Sequence, residues 1–137
     1  METFDLSVVA IDKNFFNGAC RQLIVPAPDG RMGILPHHED AVVAVVSGEL
    51  KLQKEDGEWI VAVTGDGFLN IVRNEMRLVV DTVERPEEID VERAELAKEE
   101  AEEELRQYGS VYEYHMAKAK LARAVARINV ASRYHRH

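Results

Sequence analysis

The hydrophobic pattern of this chain changes near residue 84, and that change limits the folds open to it. Up to Val83, apolar residues alternate with polar ones, which is the two-residue period of a strand buried on one face. From Ile89 onward, apolar residues recur every three or four positions, which is the period of an amphipathic helix. The sequence therefore predicts an α+β chain, with a β-domain over residues 1–84 and a helical segment over residues 85–137.

Short strands and frequent turns are predicted for the first segment. The alternation groups three apolar faces: Phe4, Leu6 and Val8; Trp59, Val61 and Val63; and Met76, Leu78 and Val80. Turn sequences such as SGE, EDGE and TGDG separate these runs. Many short strands joined by tight turns are typical of an antiparallel sandwich or barrel. Strands and helices do not alternate along the chain, which excludes a dinucleotide-binding fold.

Two helices are predicted after residue 84, separated by the break QYGS at residues 107–110. Their apolar stripes are Ala94, Ala97, Ala101, Leu105 and Tyr108 in the first, and Tyr114, Ala117, Leu121, Val125 and Ile128 in the second. Residues 84–106 hold 11 acidic and 4 basic side chains (net −7), whereas residues 107–137 hold 1 and 6 (net +5). Opposite charges favour an antiparallel hairpin, and two separately solvated helices are the alternative. An alanine-rich seam buries little apolar area, so a ligand or partner can shift such a hairpin.

Charge and composition narrow the possible partners. The net charge of −8 disfavours nucleic acid and anionic lipid as ligands. No apolar run approaches the ~18 residues of a membrane span, and the start METFDLSVV lacks the order of a signal peptide. The single Cys20 cannot form an internal disulfide and is expected to be buried. We therefore expect a cytosolic chain that binds proteins or small molecules, without direct membrane insertion.

Motifs for familiar enzyme chemistry are missing from the sequence. It contains no GxxxxGK[ST], GxGxxG, HExxH or GxSxG, so the chain is not expected to be an enzyme by itself. His37 and His38 are adjacent, and their side chains should diverge rather than share a metal. A loop at a protein interface is the interpretation that we favour there. The terminal RYHRH is interpreted as a frayed cationic tail.

In the helical segment, a purely structural role does not account for two arginines and the surroundings of one aspartate. Arg123 and Arg127 lie at i and i+4 on the second helix, where like charges repel unless an anion is near. The anion could be Glu99, Glu102 or Glu103 of the first helix, or a phosphate, which arginine binds well. Asp90 is placed to cap the first helix, which requires no ligand. Capping does not explain Arg93 in the first turn, and Ile89, Asp90 and Arg93 could instead suit an adenine ring joined to phosphates.

Three stretches carry a resemblance to a known family. They are FFNGACRQLIVPAPDGRMGILPHH, then TGDGFLNI, then EEIDVERAELAKEEAEEEL, and together they resemble the epsilon subunit of the bacterial F-type ATP synthase over nearly the whole length. The matching positions are Gly33, Ile34, Leu35, Pro36 and His38 in the first, Gly67 and Phe68 in the second, and Ile89, Asp90, Arg93 and Ala94 in the third. The chain departs from the family pattern at Glu39, Asp40 and Asp66, which add negative charge to two loops.

The resemblance implies a β-sandwich of about ten strands followed by a two-helix hairpin. It implies a non-catalytic subunit of the rotating central stalk, bound to the gamma subunit and to the ring of c subunits at the cytoplasmic face of the bacterial membrane. Such a subunit couples proton flow to ATP synthesis and restrains ATP hydrolysis, and its hairpin can extend into the alpha/beta catalytic head. The loop containing Arg31, Met32 and His38 is the expected contact with the c ring. An interaction module unrelated to ATP synthase is the alternative.

Some members of this family bind ATP on the folded hairpin without hydrolysing it. The resemblance implies that the matching residues here are Glu84, Ile89, Asp90, Arg93, Ala94, Arg123 and Arg127. Both arginines of the repelling pair would then face phosphates. No cofactor is required by this interpretation, and ATP, with or without Mg²⁺, is a regulatory ligand.

Overall fold

The computed structural model describes residues 2–134, and the chain divides between Glu84 and Arg85 into two compact units. The first unit contains nine strands: β1 (Phe4–Ala10), β2 (Lys13–Ala27), β3 (Gly30–Ile34), β4 (Ala41–Val45), β5 (Gly48–Lys54), β6 (Trp59–Thr64), β7 (Gly67–Val72), β8 (Glu75–Val80) and β9 (Val83–Glu84). The second contains a short 3₁₀ helix (Pro86–Glu88) followed by α1 (Val91–Arg106) and α2 (Val111–Tyr134).

The long strand β2 joins two layers of sheet. The hydrogen-bonded order is β4–β7–β8–β1–β2–β5–β6–β9, and β3 pairs with β2 beside this path. The first half of β2 pairs with β1, and its second half pairs with β3 on one side and β5 on the other. Side chains from both groups of strands meet in one core. The predicted sandwich is confirmed, with nine strands in the described residues instead of about ten.

One strand pair departs from the antiparallel pattern. β1 runs parallel to β8, with Asp5 opposite Glu75 and Val9 opposite Val79. Parallel neighbours need a long connection, and here strands β2 to β7 supply it. Alternation of apolar residues predicts that a strand forms, but it carries no information about which distant strand lies beside it.

The core confirms two of the three predicted apolar faces. Phe4, Leu6 and Val8 on β1 are buried, as are Met76, Leu78 and Val80 on β8. On β6 the core cluster contains Ile60 and Ala62; of the predicted face, Trp59 is 42% exposed, Val61 is half-buried and only Val63 is buried. Both faces of β6 are apolar in sequence, so its alternation could not reveal which face enters the core.

The two helices form the predicted hairpin around residues 107–110. Lys120 Nζ on α2 lies 2.9 Å from Glu100 Oε2 and 3.1 Å from Glu104 Oε1 on α1, so opposite charges pair across the seam. The buried residues are Ala94 and Ala101 on α1, and Ala117, Ala124, Ala126, Val130 and Ala131 on α2. Alanines thus lie at the closest approach while Leu105, Leu121, Val125 and Ile128 flank it half-buried. Tyr108 is exposed, and its assignment to the stripe is wrong, because α1 ends before it.

No helix in residues 2–134 is both long enough and apolar enough to cross a membrane.

Candidate functional site

The segment that opens the helical unit is held by its own backbone and side chains. The Arg85 N–H donates to Glu88 Oε1 at 2.8 Å, and the Ile89 N–H donates to the Pro86 carbonyl at 3.2 Å. The 3₁₀ helix packs against α2, and Ile89 is 4% exposed. This arrangement fixes the direction in which the chain enters α1.

Asp90 caps α1, as predicted. Its Oδ1 accepts a hydrogen bond from the Arg93 N–H at 3.1 Å, and its carbonyl accepts one from the Ala94 N–H at 3.0 Å. Its backbone is extended, with φ −85° and ψ 98°, which is usual for a residue just before a helix. A carboxylate has two acceptor oxygens, so Oδ2 retains the capacity to bind a further donor. Capping therefore does not exclude a ligand at Asp90.

Arg93 and Ala94 differ in exposure although they are adjacent. The Arg93 side chain is exposed, whereas Ala94 is 4% exposed and belongs to the helix seam. Arg93 therefore extends from the first turn of α1 without any packing role there. Its backbone N–H, rather than its guanidinium, serves the cap.

The register of the hairpin places the two arginines of α2 relative to the cap. Lys120 lies between Glu100 and Glu104, so position 120 is opposite about position 102. Both helices rise about 1.5 Å per residue in opposite directions, which puts Arg127 opposite about position 95 and Arg123 opposite about position 99. Arg127 is thus within about 8 Å of the level of Asp90 along the helix axis. Arg123 follows one turn nearer the hairpin tip.

Of the two possible anions for Arg123, the α1 carboxylates do not bind it in the described part of the chain. Among residues 2–134, Arg123 makes no hydrogen bond or ion pair, although it is half-buried. Glu103 instead pairs with Arg106 and accepts from Gln107 Nε2 at 2.7 Å. The carboxylates of α1 that pair with α2 are those of Glu100 and Glu104, and both bind Lys120. These hydrogen bonds raise the pKa of Lys120.

The predicted site residues are thus only partly brought together. Ile89, Asp90, Arg93 and Ala94 lie within six residues around the start of α1, and the half-buried Arg127 lies near their level on α2. Glu84 is the last residue of β9 in the first unit, where it pairs with Val63.

The residues of the predicted partner loop have separate roles. Arg31 Nη2 lies 2.9 Å from Oε1 of Glu49, whose side chain is buried, so this guanidinium is held in place. Met32 packs against the sandwich core, and His38 Nδ1 lies 2.8 Å from the Glu39 carbonyl oxygen. Leu35, which the resemblance matched without a contact role, is 59% exposed beside them. Its position after buried Ile34 was the signal that could have identified it.

The added acidic residues of the loops hold backbone groups. Asp40 Oδ1 accepts from the Arg73 N–H at 2.8 Å, in the turn where Arg73 and Asn74 have φ of 49° and 66°. Asp66 Oδ1 accepts from the Ser47 N–H at 3.1 Å. These two departures from the family pattern therefore have a local structural reason.

No metal centre is found in the described chain. His37 Nε2 lies 3.4 Å from Glu2 Oε1 while the His38 ring is turned to Glu39, so the two rings diverge. Among residues 2–134 no group of three or more His, Cys, Asp or Glu side chains could hold a metal ion. Of the predicted cationic tail RYHRH, residues 135–137 lie outside the described residues.

Two family models match consecutive parts of the chain. The model described as ATP synthase, delta/epsilon chain, beta-sandwich domain matches residues 3–86. The model described as ATP synthase, delta/epsilon chain, long alpha-helix domain matches residues 87–132. The two matches meet between residues 86 and 87, within the 3₁₀ helix that opens the second unit.

Relatives match over the full length. The chain is 42% identical over 133 residues to an ATP synthase epsilon chain of Ruminiclostridium cellulolyticum, covering 97% of this chain and 98% of the relative. It is 38% identical over 133 residues to that of Caldanaerobacter subterraneus subsp. tengcongensis, covering 97% and 96%.

Two solved structures share the fold. A chain of the Euglena gracilis mitochondrial ATP synthase aligns with a TM-score of 0.79 at 21% identity, covering 96% of this chain and 82% of that one. A chain of the Tetrahymena thermophila mitochondrial ATP synthase central stalk and c-ring aligns with a TM-score of 0.62 at 10% identity, covering 95% and 97%.

Proposed function

The chain belongs to the ATP synthase delta/epsilon chain family, and we propose that it is a non-catalytic subunit of the central stalk of a proton-translocating F-type ATP synthase. The observation that carries the proposal is similarity to named epsilon chains across both units, at 42% identity over 133 residues. Family membership decides against an interaction module unrelated to ATP synthase. The chain would act peripherally at the cytoplasmic face of the bacterial membrane and couple proton flow to ATP synthesis.

The sandwich would contact the gamma subunit and the ring of c subunits. Support for the c-ring contact comes from the loop that carries Arg31, Leu35 and His38. Arg31 is oriented by the buried carboxylate of Glu49, and exposed Leu35 offers an apolar anchor beside it. Met32 would support the loop from within, since it packs on the core. A Leu35→Asp chain should fold normally but bind a c-ring and gamma assembly more weakly in a pull-down.

The helical unit would sense ATP and restrain hydrolysis. In this proposal Ile89 and Asp90 hold the base, Arg123 and Arg127 face the phosphates, and Glu84, Arg93 and Ala94 are further contacts carried over from the family. Arg123 supports this, because it is half-buried and has no ion-pair partner among residues 2–134. A phosphate near this arginine would offset the cost of holding it beside Arg127.

Binding to the folded hairpin alone would stabilise that form over an extended one. At ATP a hundredfold above Kd, the stabilisation is about 2.7 kcal/mol. A seam of alanines is stabilised by little buried area, so this amount is sufficient to shift it. When ATP falls, the hairpin would open, and its basic half could reach acidic surfaces of the alpha/beta head and restrain hydrolysis.

The test is calorimetric titration of the full chain with ATP, with and without Mg²⁺. Saturable binding is expected, and Arg127→Ala should weaken it at least about tenfold because it removes a charge-assisted pair. Lys118→Ala is the matched control, since it removes an exposed cation on the same helix about 13 Å away along the axis. Equal loss in both variants would mean diffuse charge attraction and would overturn the ATP site, as would no heat at millimolar ATP. Either result leaves the stalk role intact.

A further inference from the structure

The tip of the hairpin contains a cavity that nucleotide sensing does not use. Its volume is about 480 Å³, and it is lined by Glu103, Glu104 and Gln107 at the end of α1, and by Tyr112, Glu113 and Met116 at the start of α2. We call it the tip cavity. It lies beyond Lys120, on the side of the hairpin away from Asp90 and Arg127, so a ligand at one place does not occupy the other.

The wall of the tip cavity on α2 is apolar and exposed. Tyr112 is 71% exposed and Met116 is 52% exposed, one helical turn apart. Tyr108 and Val111, next to the cavity in sequence, are 54% and 72% exposed. Four exposed tyrosine, methionine and valine side chains between residues 108 and 116 are more typical of a protein interface than of free surface.

The other wall carries negative charge. Three carboxylates line the tip cavity, and no basic side chain does. The negative end of the α1 dipole and the positive end of the α2 dipole both lie at the tip, so the negative charge there comes from the carboxylates. Lys120 already binds Glu104 at 3.1 Å, Arg106 binds Glu103, and the Gly109 N–H donates to Glu113 at 2.9 Å. Glu104 and Glu113 each use only one oxygen in these contacts, and the two oxygens of Glu103, which accept from Arg106 and Gln107, each keep a second lone pair, so a further cation can be accepted.

From this combination we propose that the tip cavity docks a basic amphipathic segment of a partner protein. An apolar side chain of that segment would pack on Tyr112 and Met116, and a flanking arginine or lysine would pair with Glu103 and Glu113. Charge complementarity selects the basic partner, because the cavity has negative and apolar walls but no cation. The flexible thioether of Met116 can adapt to different apolar anchors, and Tyr112 adds a large aromatic contact area.

The size of the surface favours a polypeptide over a small cation. The exposed apolar residues extend past the cavity to Tyr108 and Val111, which a single organic cation could not cover. A helix would use both, with anchors spaced three or four residues apart. The inference does not depend on the ATP site, since none of its residues is shared with that proposal.

The test uses the full chain and a fluorescein-labelled synthetic peptide of about 14 residues, built from leucine and lysine at helical spacing. A matched peptide with glutamate in place of lysine is the first control. Fluorescence anisotropy should show saturable binding of the basic peptide alone. The double variant Glu103→Gln, Glu113→Gln and the double variant Tyr112→Ala, Met116→Ala should each weaken it at least about fivefold.

A charge-matched variant distinguishes docking from general attraction to an acidic protein. Glu39→Gln, Glu95→Gln removes two exposed carboxylates elsewhere and should change affinity less than twofold. Glutamine keeps a carbonyl oxygen for the Gly109 N–H, and circular dichroism checks that each variant stays helical. Equal weakening by both glutamine variants, displacement of the peptide by equimolar spermidine, or no binding at all would overturn the proposal.

Discussion

Replacing Lys120 by methionine tests whether charge pairing holds the hairpin together. Lys120 Nζ reaches two carboxylates of α1, at 2.9 Å and 3.1 Å, and its side chain is 29% exposed. Methionine keeps most of the apolar stem and removes only the ammonium. Glu100 and Glu104 are more than half exposed, so solvent screening limits each pair to ~0.5 kcal/mol and the two together to about 1 kcal/mol.

That loss should make opening of the hairpin about fivefold more frequent. Amide hydrogen exchange of α1 and α2 measures it directly, because these amides exchange when the helices separate. The effect should be present at pH 7, since the pKa of Lys120 is raised and its contribution is complete below the pKa of a free lysine. It should shrink in 1 M salt, where the screening length falls to about 3 Å.

Lys98→Met is the control, because Lys98 lies on α1 and makes no ion pair among residues 2–134. If both variants speed exchange equally, general charge rather than the interhelical contact stabilises the hairpin. If Lys120→Met leaves exchange unchanged at low salt, the hairpin is held by its alanine seam alone. Under the proposed function, Lys120→Met should also weaken apparent ATP binding.

Three further predictions concern single positions. Asp90→Ala should destabilise the hairpin by about 1 kcal/mol in thermal unfolding through loss of the cap, whereas Asp90→Asn, which still accepts from Arg93 N–H, should cost only a few tenths. Burial raises the pKa of the Cys20 thiol from 9.0 to about 11, so the folded state holds this proton more tightly than the unfolded state. The free energy of unfolding should therefore fall by about 1.4 kcal/mol for each unit of rising pH between pH 9 and 11. In chemical denaturation, Cys20→Ala should lack this pH-dependent component. Gly67→Ala should cost about 3 kcal/mol or more in denaturant titration, because its Cβ would lie 1.9 Å from the Val79 carbonyl oxygen, while Gly33→Ala, with nothing within 4 Å, should change stability by less than about 0.5 kcal/mol.

The elements were largely predictable from the sequence because their signals are local. The period change near residue 84, the cap at Asp90 and the break at residues 107–110 each depend on neighbours within a few positions. The same reasoning failed for Tyr108, where the end of α1 rather than the stripe decides exposure.

What could not be predicted depends on distant parts of the chain. One case is the parallel pairing of β1 with β8. Another is the buried face of β6, which depends on packing against strands of the opposite layer. In the candidate site, charge alone left two possible anions for Arg123, the carboxylates of α1 or a phosphate. The side chain that makes the interhelical pairs is Lys120, because the register of the hairpin brings it between Glu100 and Glu104.

The position of β1 between β2 and β8 has a consequence for synthesis of the chain. β2 follows β1 at once, but Glu75, the partner of Asp5, is made about 70 residues later. At ~5–20 residues per second, this delay is roughly 4 to 14 s. During it, one edge of β1 presents unpaired N–H and C=O groups, which can pair with another nascent chain. Chaperone demand should therefore be highest while β2 to β7 are being translated, and should fall once β8 has emerged.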